Sequence, residues 1–260
     1  AGRGRGLRRE GAARAAEVQA SALFFGLGES HLLERLAPVL HDAQAEGVAI
    51  DPYVQGAYVR LRVRAARPDT PLAPWLARLA EGAPEHCLGP WPTSLPEAVG
   101  ALLRGRGLRL AVAESCTGGL LSAMLTDLPG SSAYVGLNVV SYANAAKERL
   151  LGVPAETLAK HGAVSAETAE AMARGVVAAA EAAGWSADWG LAVTGIAGPG
   201  GGSDEKPVGT VWLGLHEAAT GRTVSRRLLL NPRFSRTALK ERFALGGLHM
   251  LWQALQGLPL

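Results

Sequence analysis

At 260 residues the chain is long enough for one large domain or two of ordinary size, and its 48% hydrophobic content includes no uninterrupted apolar run of the roughly 20 residues that a membrane-spanning helix needs. A soluble protein is expected. The formal net charge of +3 is concentrated in Arg3, Arg5, Arg8, Arg9 and Arg14, so it describes no basic domain, and the two cysteines, Cys87 and Cys116, fit neither a disulfide framework nor a metal cluster but a reducing cytoplasm.

Residues 1–20, rich in Arg, Gly and Ala, read as a disordered leader or as the remnant of a longer chain without its own start methionine. Glu10 and Glu17 and the lack of a secretory apolar core argue against a targeting peptide. Residues 21–92 read as a small α+β unit. Leu32, Leu33, Leu36, Val39 and Leu40 keep helical spacing behind Ser30, a candidate N-cap. Val59, Leu61 and Val63 alternate with Arg60, Arg62 and Arg64 as in a half-buried strand, and residues 74–81 suggest a second helix. The glycine and prolines of residues 88–96 then read as a linker, with the boundary near residue 92.

Beyond that boundary, residues 93–260 alternate between the two element types. Helices are predicted at 95–105, 120–128, 145–151, 165–183 (capped by Ser165) and 235–255, and strands at 108–113, 139–142 and 191–194. Residues 208–215 and 224–230 read as an antiparallel pair. This alternation predicts an α/β fold, a three-layer sandwich with a mixed sheet, preceded by the small α+β domain.

Three segments of the larger unit are candidates for chemistry. The first is Glu114-Ser115-Cys116-Thr117-Gly118-Gly119, where a buried strand runs into a helix. Unpaired N–H groups at such a helix start suit a phosphate or a developing oxyanion, although Ser115 and Thr117 read equally well as ordinary caps. Cys116 is a rival nucleophile, because a thiol at a helix N-terminus is expected to ionise readily. A serine needs a base, and none of the six histidines lies in a segment as polar and glycine-flanked as that around Ser115.

The second segment, Ser141 to Lys147, offers Lys147 as a base whose pKa burial would lower, with Tyr142 relaying a proton or orienting the amine. A lysine on a short helix is more often simply solvated. The third, Thr194 to Thr210, contains a glycine-rich loop whose backbone can approach an anion closely. It lacks the Gly-Lys-Ser/Thr ending of a P-loop, and a flexible surface loop is the alternative.

These segments, with Pro-Gly-Ser-Ser-Ala at 129–133 and His-Gly-Ala-Val-Ser at 161–165, resemble the CinA C-terminal domain family over residues 95–256. Residues from Phe25 to about 90 resemble the small middle domain that precedes this unit in full-length CinA proteins, whose molybdopterin-binding-like N-terminal domain is expected to be absent. The resemblance implies a nicotinamide-nucleotide amidase acting in pyridine nucleotide recycling, with Ser115 as nucleophile and Tyr142 and Lys147 as its activating partners. Expected substrate-binding residues are Glu114, Cys116, Thr117, Gly118, Gly119, Asn144, Thr194, Gly195, Gly198, Gly201, Gly202, Ser203 and Lys206.

No metal and no cofactor is expected; the expected partner is nicotinamide mononucleotide as substrate, in a cytoplasmic homo-oligomer that binds neither membrane nor nucleic acid. Where the family commonly has Gly-Asp-Arg, this chain reads Phe234-Ser235-Arg236, which leaves Arg236 and Arg242 outside the expected set. Two other readings stand beside the amidase. One is a competence- or recombination-associated adaptor, against which residues 21–92 lack the Gly-x-x-Gly clamp of a KH module. The other is a non-catalytic nucleotide-binding domain.

Overall fold

A computed structural model describes residues 18–260, so the leader expected at 1–20 lies outside the described residues except for its last three. Those three already belong to a strand. The chain divides into two compact units, Ala1–Pro92 and Thr93–Leu260.

In the described part of the first unit, β1 (Val18–Phe25), β2 (Val48–Gln55), β3 (Tyr58–Ala65) and β4 (Cys87–Pro90) form an antiparallel sheet in the order β2-β3-β1-β4. The alternation read in β3 is realised: Val59, Leu61, Val63 and Ala65 are buried with Leu32, Leu36, Trp75 and Leu79. The arginines between them take the other face. There the guanidinium groups of Arg60 and Arg62 lie 4.8 and 4.6 Å from the centre of the Tyr53 ring.

Three readings of this unit are corrected. The helix expected across Leu32 to Leu40 is broken into α1 (Glu29–Arg35) and α2 (Ala37–Ala45), because Pro38 has no N–H to continue the ladder. Ser30 lies inside α1, whose N-cap is Gly28. Residues 88–90, read as linker, pair with β1 as the edge strand β4. The second helix, α3, spans Ala73–Gly82, close to expectation.

The second unit is built on β5 (Leu110–Glu114), β6 (Val135–Val140), β7 (Trp189–Gly195), β8 (Thr210–Glu217) and β9 (Thr223–Leu229). Their order is β6-β5-β7-β8-β9, with the first three parallel and the last two antiparallel to their neighbours. One face is covered by α8 (Ala166–Ala182) with α6 (Asn144–Leu151) and α7 (Ala155–His161) beside it, the other by α4 (Leu95–Arg106), α5 (Leu120–Thr126) and α9 (Arg236–Gln256). This is the expected three-layer sandwich with a mixed sheet.

Small residues set the spacing of the layers. Ala111, Ala113 and Ala192 pack on Met172 and Val176 of α8, and a Cβ added to Gly214 would lie 2.2 Å from the carbonyl oxygen of Ala169. Ser165 caps α8 by accepting from the N–H of Thr168, and Ser235 caps α9 by accepting from that of Ala238. The strand read at 139–142 is observed as β6, ending at Val140. Ser141 and Tyr142 leave the sheet there, which brings the segments after β5, β6 and β7 together at the carboxyl ends of three parallel strands, where open α/β sheets bind ligands.

Candidate active site

The turn after β5 is organised by the acid that precedes the serine. Glu114 is fully buried, and its carboxylate accepts from the N–H groups of Gly119 (2.9 Å), Leu121 (3.1 Å) and Ser122 (2.9 Å) and from the Ser122 hydroxyl (2.5 Å). An anion fixed on the first turn of α5 satisfies donors that the helix cannot satisfy itself. Glu114 is therefore consumed by the fold and does not meet the ligand role expected of it. The chain can double back because Gly118 and Gly119 take φ values of +62° and +93°, a region open to glycine at little cost.

The same hydrogen bonds narrow the set of available donors. The N–H of Gly118 goes to the Ser115 carbonyl at 3.2 Å and that of Gly119 to Glu114, so neither is left for a ligand. Among the described residues, the N–H groups of Cys116 and Thr117 donate to no other residue. Thr117 is fully buried, with its hydroxyl unpartnered among the described residues. Ser115 itself is held by its N–H on the Val193 carbonyl at 2.9 Å, which ties its backbone to β7.

Lys147 comes from the first turns of α6 and is fully buried. Its Nζ lies 3.0 Å from Ser115 Oγ, 2.7 Å from the Ser141 carbonyl and 3.3 Å from that of Tyr142. Burial pushes its pKa below the ordinary lysine value, since desolvation disfavours the charged form. No carboxylate forms an ion pair with it among the described residues. The Ser141 backbone is positioned in turn by its own N–H on the Glu114 carbonyl at 2.8 Å, so one strand-end residue supports both sides of the pair.

Two expectations about neighbouring groups are corrected here. Tyr142 orients the amine through its backbone carbonyl and not through its phenol, which is exposed and accepts from Arg236 Nη2 at 2.9 Å. Cys116 is no ready thiolate: burial pushes its pKa up to about 12, overriding the influence of the helix start. Among the described residues, no histidine side chain lines the cavity that Ser115 faces.

That cavity measures about 270 Å³ and is walled by Ser115, Cys116, Tyr142 and Lys147 on one side and by Ala163, Val164 and the loop from Thr194 to Gly201 on the other. Of the expected ligand residues, Cys116, Thr194, Gly195, Gly198 and Gly201 line it. Thr194 already donates its hydroxyl to the Ala163 carbonyl at 2.7 Å.

The remaining expected residues lie outside the lining. Gly118, Gly119 and Thr117 form the far side of the turn, and Asn144 opens α6. Gly202 packs on the backbone of Val208, and Ser203 closes a local turn with Lys206 through hydrogen bonds of 3.0 and 3.1 Å. Lys206 donates to the His161 carbonyl at 2.7 Å.

Arg236, outside the expected set, belongs to the wall. Its guanidinium donates to the Gly198 carbonyl at 2.5 Å and to Tyr142 Oη at 2.9 Å. A signal was present: arginine at the first position of a helix opposes the macrodipole, which is a reason to look for another role. Among the described residues, no carboxylate side chain is part of the cavity wall, and Arg236 gives it a cationic rim. Among the described residues, no group of three or more His, Cys, Asp or Glu side chains is placed to hold a metal ion, and no helix is long and apolar enough to cross a membrane.

Comparison with known proteins fits this architecture. The profile of the CinA C-terminal domain matches residues 92–255. A "CinA-like protein" of Anaeromyxobacter dehalogenans is 41% identical over 94% of this chain and 59% of its own length. A "putative competence-damage inducible protein" of Caldanaerobacter subterraneus is 40% identical over 90% of this chain and 55% of its own. The chain thus spans little more than half the length of these curated relatives. The crystal structure of the competence/damage inducible protein CihA from Agrobacterium tumefaciens covers 62% of this chain at 41% identity with a TM-score of 0.57, over 93% of that structure's chain. With the family profile covering the whole sandwich and relatives aligned across nearly the entire chain, this protein belongs to the CinA family.

Proposed function

We propose that the second unit hydrolyses the carboxamide of nicotinamide mononucleotide, releasing ammonia and nicotinate mononucleotide through a Ser115 acyl-enzyme. The observation that carries this reading is the buried Lys147 amine 3.0 Å from Ser115 Oγ, with no carboxylate among the described residues to hold its proton. Two of its hydrogen-bond positions are taken by the carbonyls of Ser141 and Tyr142, both acceptors that demand N–H donors. A neutral amine satisfies both and still directs its lone pair at the serine hydroxyl.

The steps follow from that arrangement. Lys147 takes the Ser115 proton as Oγ bonds to the carboxamide carbon. The oxyanion accepts from the free N–H groups of Cys116 and Thr117, fixed donors in a desolvated corner. The Lys147 ammonium then returns its proton to the departing nitrogen, the carbon–nitrogen bond breaks and ammonia leaves. Water attacks the acyl carbon with Lys147 again as base, and Ser115 is regenerated. The cationic rim at Arg236 and the absence of carboxylates from the wall support an anionic substrate, and the family resemblance names the nucleotide.

The test is ammonia release from nicotinamide mononucleotide beside nicotinamide and nicotinamide riboside. The phosphorylated substrate is expected to give the highest kcat/KM, Ser115→Ala to lose at least about 10³-fold of it, and Cys116→Ala to stay within about threefold of wild type. Ammonia release by Ser115→Ala at the wild-type rate would end the serine reading. Equal turnover of all three substrates would end the nucleotide assignment.

A further inference from the structure

We propose that Lys206 is a positioning residue: it ties the glycine-rich loop to residues 161–164, so that the two segments form one wall of the pocket at a fixed spacing. The proposal rests on the amidase reading only for the substrate used to measure it. Sequence logic makes Lys206 a ligand for an anion, yet its Nζ is spent on the His161 carbonyl at 2.7 Å, at the C-terminus of α7. A cation is favourable at that end of a helix. Just past Gly162, Ala163 and Val164 line the cavity, and the Ala163 carbonyl accepts from the Thr194 hydroxyl at 2.7 Å.

The need for a tie follows from the composition of the loop. Between Gly198 and Gly202 it reads Gly-Pro-Gly-Gly-Gly, with almost no side chain to pack, and glycine loses more conformational freedom on ordering than any other residue. Its position is therefore set by the groups that hold its backbone: Arg236 on the Gly198 carbonyl, and the ties at its two ends. At the β7 side, Gly209 N–H meets the Ile196 carbonyl at 2.9 Å. At the far side, Ser203 and Lys206 close a turn on each other, Arg227 donates to the Glu205 carbonyl at 3.3 Å, and the Lys206 amine reaches across to α7. Only that last bond links the loop's far end to the 161–164 segment among the hydrogen bonds of the described residues. Ser115 directly follows β5 and Lys147 stands on α6, both outside this clasp, so loosening it changes how substrate is held and leaves the reacting pair in place.

The experiment compares Lys206→Met and Lys206→Arg with wild type by three readouts: kcat and KM for nicotinamide mononucleotide, the rate of Ser115 labelling by a small fluorophosphonate, and amide hydrogen exchange. Lys206→Met is expected to raise KM about tenfold, the loss of roughly one charge-assisted hydrogen bond, with kcat and labelling within about twofold. Exchange should accelerate in residues 196–206 and stay unchanged in α9, which reports that the fold is intact. Lys206→Arg, which keeps a donor for the same carbonyl, should restore most of the KM.

An unchanged KM and unchanged loop exchange in Lys206→Met overturns the proposal. So does a fall in kcat and labelling of the same size as the rise in KM, which would place Lys206 in the chemistry. If wild type is labelled but releases no ammonia from the nucleotide, the substrate assignment fails while the exchange comparison still decides the clasp.

Discussion

Both units carry basic side chains close to their sheets, and they treat them in opposite ways. In the first, Arg64 Nε meets Asp51 at 2.7 Å, Arg62 lies 3.7 Å from the same carboxylate, and Arg60 and Arg62 rest on the Tyr53 ring. These arginines stand on a face that water reaches, each with an anion or an aromatic face beside it. In the second unit Lys147 is buried at the sheet ends, with no carboxylate paired to it among the described residues. Partnered cations on a wet face do little except keep that face soluble and ordered. A buried amine without a counter-charge is driven toward its neutral form, and a neutral amine next to a hydroxyl is a base. The difference lies in what surrounds the nitrogen.

The largest effect is expected where that surrounding is removed. Lys147→Met keeps the volume and deletes the amine, and kcat/KM for ammonia release should fall by about 10² to 10⁴-fold, the range for a lost general base. The pH profile supplies the sign. Because the proposed working form is the neutral amine and burial lowers its pKa, kcat/KM should rise with pH along one ionisation whose midpoint lies below the ordinary lysine value, and then level. In Lys147→Met the residual rate should lose that ionisation. A variant that keeps both the rate and the profile would show that the two cations do not differ in function, and the contrast between the units would collapse.

The next effect concerns stability and probes the layer spacing that keeps Lys147 dry. Gly214→Ala puts a methyl group 2.2 Å from the Ala169 carbonyl oxygen and 2.6 Å from its carbon, so α8 must move off β8. Chemical denaturation should show a loss of about 1–3 kcal/mol, the usual cost of overpacking. Unchanged stability would mean that α8 has slack, and the small residues of β5 and β7 would need another explanation.

How much of this was legible in the sequence depended on whether the signal was local. Val59, Leu61 and Val63 announced β3 by alternation, and Ser165 announced α8 by its place before a helical period. The nearness of Lys147 to Ser115 was reachable because each follows an apolar strand, and parallel neighbours bring such ends together. The reading failed where partners distant in sequence decide. Asp51-Pro52 hid β2, which tolerates proline because it is an edge strand, and Gly89-Pro90 hid β4 for the same reason. Glu114 reads from sequence as a ligand because spacing does not say that a carboxylate turns back onto the next helix. Lys206 reads from sequence as an anion ligand because the acceptor it meets in the structure, the His161 carbonyl, lies 45 residues earlier.

The smallest effect is expected on the other side of the comparison. Asp51→Asn removes the charge shared by Arg62 and Arg64 but keeps an oxygen able to accept from Arg64, and the aromatic contacts to Tyr53 remain. All three ion-pair side chains are about a third exposed, at 28–36%, so solvent screens the pairing and the loss should stay below about 1 kcal/mol. Hydrogen exchange of the β3 amides in the full chain is the suitable measurement, since it reports on the first unit by itself. Added salt should shrink the difference further, because exposed pairs are screened within a Debye length. Ammonia release should not change. If instead the β3 amides lost about 2 kcal/mol or more of protection, the arginine face would be an organising element of the first unit and not a solvated one. The contrast with Lys147 would then be between two kinds of structural dependence on charge rather than between a solvated face and a catalytic base.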